Sequence, residues 1–206
     1  MEDWSNIVGI LFFLLVAVAL PLIFRRRKKG EVAANIEELY QHLREMGVEA
    51  SLANEGDDRE RIGLGGASGQ KSEGLIELED RNVDSINFVS VSTQYGKRYF
   101  IDYLVKSPNI TGERMLKKTR LNRKKSPPIW GKVVAIDWKG DDSLTQSLNL
   151  DYSLQEKLLR AEVFKGGIWI FPEPKHGYVR IRTQYSLPSA EIFEAIRSIA
   201  RRVKSW

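Results

Sequence analysis

The segment Gly63-Leu64-Gly65-Gly66-Ala67-Ser68-Gly69-Gln70-Lys71-Ser72 holds the residue types of a phosphate-binding loop. Glycines would let backbone amides close on the anion, and a lysine and a hydroxyl would complete the cradle. The spacing defeats that reading. Glycine must directly precede the Lys-Ser pair, where Gln70 stands, and a dinucleotide fingerprint needs glycine at Ser68. The segment reads instead as a glycine-rich loop. Ser68 and Lys71 stand at the minimal spacing of a serine–lysine acyl enzyme, but no Ser-Asp-Asn or Lys-Thr-Gly comes later in the chain.

Hard oxygen ligands occur twice, at Asp57, Asp58 and Glu60 and at Asp141 and Asp142. Neither set alternates in the manner of a calcium loop or ends in a bidentate glutamate, so both read as solvated turn residues. Cysteine is absent, which excludes disulfides, thiolate catalysis and thiolate-held metals. The two histidines, His42 and His176, are too far apart in sequence to suggest a shared site, and His176 reads as exposed and idle. Trp130, Trp138 and Trp169 read as packing residues of strands rather than a ligand groove. No catalytic residue, cofactor or metal is assigned, and the expectation leans against an enzyme.

What stands out is charge. The net charge is +5, from 32 Lys and Arg against 27 Asp and Glu. Most of the excess lies in two blocks: Arg25, Arg26, Arg27, Lys28 and Lys29, and then Arg114, Lys117, Lys118, Arg120, Arg123, Lys124 and Lys125. Outside them acids outnumber bases, so the balance does not imply a general affinity for nucleic acid. For the second block a solvated loop is the first reading and contact with anionic lipid headgroups the second. Nucleic acid ranks last, because no aromatic residue is interleaved to stack a base.

The first block adjoins an apolar run, Ile7 to Phe24, that contains no charged or polar side chain over 18 residues. As a helix it measures about 27 Å, close to the hydrocarbon thickness of a bilayer. Trp4 suits the outer interface, and Arg25 to Lys29 are retained on the cytoplasmic side. A cleavable signal peptide would carry its basic residues first, but Glu2 and Asp3 precede this run. The expected plan is a short extracytoplasmic N-terminus (1–6), a transmembrane helix (7–24), a basic tether (25–30) and a cytoplasmic α+β domain (31–206). That is a single-pass protein of the plasma membrane with its N-terminus outside. The pattern Asn109-Ile110-Thr111 would then face the wrong compartment for glycosylation.

Within 31–206, Val32, Ile36, Leu39, Tyr40, Leu43 and Met46 recur at helical spacing up to Gly47. Val48 to Ala53, and a stretch starting at Leu75-Ile76-Glu77-Leu78, read as strands. Ile86 to Thr93 and Arg98 to Val105 form a hairpin, and Lys132 to Trp138 a strand. Ser153-Leu154-Gln155-Glu156 is a capping box opening a short helix. Gly167 to Phe171 and Tyr178 to Tyr185 form a second hairpin, and a last helix follows Pro188-Ser189. Long loops are expected at 54–74 and 107–128. Hairpins dominate, so the fold class is α+β: a mainly antiparallel sheet with about three helices after the transmembrane helix. The expected function is a non-catalytic interaction or scaffold module held near the membrane, with the lipid bilayer and an unidentified protein as partners. The alternatives are a membrane-tethered enzyme and a membrane-held nucleic-acid-binding module.

Overall fold

The computed structural model describes residues 36–53, 69–107, 110, 116–127, 132–161 and 166–205. The chain divides into two compact units, Met1–Glu38 and Leu39–Trp206. The expected span 7–24, with Trp4, Ile7 and Phe24, and the basic residues Arg25 to Lys29 lie outside the described residues. Among the described residues, no helix is long and apolar enough to cross a membrane.

Residues 36–45 form helix α1, which buries Leu39 and Leu43. It ends where Gly47 takes a left-handed φ of 77° and the Val48 amide bonds back to the Leu43 carbonyl. Eight strands follow. β1 is Ala50–Leu52, β2 Gln70–Leu78, β3 Ser85–Thr93 and β4 Gly96–Lys106. β5 is Thr119–Ser126, β6 Lys132–Lys139, β7 Ile168–Glu173 and β8 Tyr178–Gln184. Helices α2 (Asp142–Asn149) and α3 (Tyr152–Arg160) lie between β6 and β7, and α4 (Ala190–Lys204) follows β8. The architecture is α+β with one antiparallel eight-stranded sheet, ordered β1-β2-β3-β4-β8-β7-β5-β6. β8, nearly the last element in sequence, therefore sits mid-sheet and joins the β1–β4 meander to the β7-β5-β6 group.

One sheet face lies under helices. Cross-strand partners Ile76, Ile86, Tyr103, Ile181, Ile170 and Thr119 form a single row across six strands, each at most 2% exposed. Phe193 of α4 packs on Tyr103, with ring centroids 6.3 Å apart. α4 is positioned by its Ser189 cap and buries Ile192, Phe193, Ile196, Ile199, Ala200 and Val203 at helical spacing.

Several expectations need correction. Residues 70–74 belong to β2, not to a loop; a bulge between Ser72 and Gly74 breaks their alternation, which hides the strand from a period-two reading. Part of the expected 107–128 loop is likewise a strand, because Thr119–Ser126 is β5, paired with β6 along its length and with β7 at Thr119 and Arg120. α2 adds to the expected set, so that the described residues hold four α-helices. α3 is capped by Asp151, whose carboxylate accepts from Leu154 N at 3.0 Å, so Ser153 lies inside the helix rather than at its cap. Asp141 is not a solvated turn residue: it is 7% exposed, caps α2 through Leu144 N and also accepts from Lys117 N. Gly140, at a φ of 146°, passes so close to β5 that a Cβ would lie 2.2 Å from the Lys118 carbonyl oxygen.

Candidate functional site

The second face of the sheet carries the chemistry. Its central row follows from the strand registers: Leu75, Asn87, Asp102, Arg182, Trp169, Arg120 and Lys139, one residue from each of seven strands. On the β4–β8 side the row is buried and its charges are matched. Asp102 is 0% exposed and accepts from Arg182 through Nε at 2.6 Å and Nη2 at 2.7 Å. This two-point geometry is the strong form of the carboxylate–guanidinium pair. Arg182 Nη2 also reaches Gln70 Oε1 at 3.2 Å, and its guanidinium lies between the Phe100 and Phe171 rings at 5.2 and 5.8 Å.

Arg180 stands two residues along β8. Its Nη1 lies 3.5 Å from Asp102 Oδ2, and its Nη2 is bound by Glu173. Two guanidiniums thus meet two carboxylates. Beside them Tyr178 is pushed up to about 12 by burial, with Arg180 opposing the rise and Glu173 and Asp102 adding to it.

Beyond Trp169 the same row changes character. Arg120 on β5 stands directly opposite Lys139 on β6, and both are exposed. Like charges in facing positions destabilise a strand pair. Lys118 lies 5.5 Å over the Phe171 ring, and Lys124 follows Arg120 on the same face. Asp137, opposite Asn122, is the acid nearest in register. Among the described residues, neither it nor any other carboxylate forms an ion pair with Lys118, Arg120, Lys124 or Lys139. The Trp169 ring lies against Gly167, where a Cβ would sit 3.0 Å from it, and this holds the half-buried indole along its own strand.

The expected cationic loop is therefore divided by a strand. Lys117, Lys118, Arg120, Lys124 and Lys125 are exposed, whereas Arg123 points to the helix-covered side beside Ile136. Burial lowers the Arg123 pKa. Arg114 and Trp130 lie outside the described residues, as do Asp57, Asp58, Glu60 and Ser68. Trp138 is buried at 2% exposure, in keeping with a packing role. His176 is exposed, with its ring 6.0 Å from that of Tyr178.

Sequence reasoning missed the Asp102–Arg182 pair and the contribution of Lys139. One signal was available. Two arginines at alternate positions of an otherwise apolar strand, Tyr178 to Thr183, require a polar face, and so does the single Asp102 within β4.

A cavity of about 490 Å³ opens elsewhere, among His42, Tyr103, Arg160, Thr183, Ser189 and Ile192. Several of its polar groups are already engaged, Arg160 with Glu156 outside the cavity. His42 Nε2 lies 2.7 Å from the Pro188 carbonyl oxygen, and Thr183 bonds the Tyr103 hydroxyl, whose pKa burial raises. Among the described residues, no three metal-binding side chains cluster. No protein-family model matches the chain, and no curated protein or solved structure does so either.

Proposed function

We propose that this protein is a single-pass membrane protein whose α+β domain serves as a non-catalytic interaction module close to the cytoplasmic membrane surface. The observation that carries the reading is the uncharged run from Ile7 to Phe24 with five cations immediately after it. The domain geometry bears only on the interaction-module part of the reading. The carboxylates and guanidiniums buried at the sheet centre are committed to one another, whereas Lys118, Arg120, Lys124 and Lys139, which form no ion pair among the described residues, gather at one margin of the second face.

The anchor is tested by extracting membranes that contain the full-length chain with alkaline carbonate. The chain stays in the pellet, and a reporter fused after Trp206 is active inside the cell only. Release by carbonate overturns the anchor; a reporter active outside overturns the orientation. The nucleic-acid alternative gains one point from the fold, since Trp169 stands in the row beside Arg120, where the block's own sequence offers no ring. A salt-sensitive gel shift with a single-stranded oligonucleotide would favour it.

A further inference from the structure

We infer that the β5–β6 margin of the second sheet face, formed by Lys118, Arg120, Lys124 and Lys139 with Trp169 beside them, is a docking surface for the anionic phosphate headgroups of a bilayer. The choice of a bilayer rests on the anchored reading above; the choice of an anionic surface rests on the geometry alone. Arg120 and Lys139 occupy directly facing positions on antiparallel strands, an arrangement that a folded chain bears at a cost. In the other described strand registers no like charges face each other, and elsewhere in the fold several cations meet a carboxylate. Arg182 is matched by Asp102, Arg180 by Glu173, Arg197 by Asp80, Arg202 by Asp151 and Lys204 by Asp84. The conflict at the margin is local, exposed and uncompensated among the described residues, and an external anion relieves it.

The shape suits a broad anionic surface rather than a single small anion. Arg120 and Lys124 lie four residues apart along β5, and Lys139 extends the patch across to the edge strand β6. The patch is thus spread over the sheet instead of converging on one point. An indole at its inner border suits the headgroup region, where amphipathic rings are favoured. The surface differs from the whole cationic block of the sequence. It omits Arg123, which faces the helices, and it takes in Lys139 from another strand and Trp169 from a third.

The test uses the full-length chain, and the absence of native cysteine allows a single label. An environment-sensitive dye is placed at Asn122→Cys, between Arg120 and Lys124, and in a control at Ser198→Cys on α4. Nanodiscs of phosphatidylcholine alone are compared with discs containing a third phosphatidylserine. In the anionic discs the dye at 122 shifts to the blue, and about 0.5 M salt abolishes the shift. The control dye does not respond.

The triple variant Arg120→Gln/Lys124→Gln/Lys139→Gln removes the shift and lowers headgroup association on the order of a hundredfold. Its thermal midpoint is unchanged or raised, because the facing like charges are gone. Equal signals in neutral and anionic discs, or a shift that survives the triple substitution, overturn the inference. So does displacement of the dye signal by a single-stranded oligonucleotide at concentrations below those of the lipid; that result would assign the face to nucleic acid. If the chain fails to enter discs, the anchor reading fails separately, and the face is then tested by cosedimentation of the same labelled chains with the two lipid mixtures.

Discussion

Asp102 with Arg182 and Arg120 with Lys139 stand in one row of one sheet, with only Trp169 between them, yet they follow opposite electrostatic rules. In the first pair opposite charges meet at hydrogen-bonding distance and are shielded from water. In the second, like charges face each other in solvent. The inner pair specifies the fold, because only the native register of β4 and β8 brings these residues together from 80 positions apart. The outer pair adds no attraction between β5 and β6, and the proposed headgroup contact rests on that.

The largest effect expected from disturbing this contrast comes from Asp102→Ala. It leaves the Arg182 guanidinium buried without its carboxylate and should cost about 3–5 kcal/mol in chemical denaturation. A loss below about 1 kcal/mol would mean that water reaches Arg182 and that the inner pair is not what distinguishes the two regions. Replacing both partners, Asp102→Leu with Arg182→Met, should restore stability to within about 1 kcal/mol of the parent, because desolvation is removed along with attraction. Should the double variant be as unstable as the single one, shape rather than charge holds the centre together. At the margin the sign reverses: Arg120→Glu places opposite charges face to face and should raise stability by about 0.5 kcal/mol while weakening attachment to anionic vesicles. A fall in stability would show that Arg120 is already paired.

Smaller still is the response of the partly exposed pairs Asp80–Arg197 and Asp151–Arg202. Burial pushes both carboxyls up, but backbone amides and the arginines more than offset it, so both pKa values end below 3.8. A depressed carboxyl contributes stability that is present above the unfolded value and lost as pH falls through the folded one. The melting temperature should therefore decline below about pH 3.8, and the decline should be shallower in Arg197→Met. An unchanged slope in that variant would remove Asp80 from the acid response.

The sequence made some of this legible and concealed the rest for physical reasons. Helices α1 and α4 and both hairpins announce themselves because each buries one apolar stripe or alternates cleanly. β5 does not, since Thr-Arg-Leu-Asn-Arg-Lys-Lys-Ser has little intrinsic strand preference, and its conformation is set by β6 and β7 on either side. α2 was concealed by its eight residues, rich in Ser, Thr and Asn, which bury only Leu144 and Leu148. The cations of the margin could be counted in the sequence. Which of them share a face, and that Lys139 and Trp169 join them, depends on registers between distant strands. For the membrane reading the situation is reversed, since its argument lies wholly in residues 1–30 and the described residues add none of it.

The mid-sheet position of β8 has a consequence for how the chain matures. Ribosomes deliver β1 to β7 first, as two ribbons that share no edge until Tyr178–Gln184 slides between them. Closing a sheet through a strand made after all its other strands joins residues very far apart along the chain and slows folding. A nascent chain would therefore hold both ribbons unjoined and open to chaperones until β8 had left the ribosome.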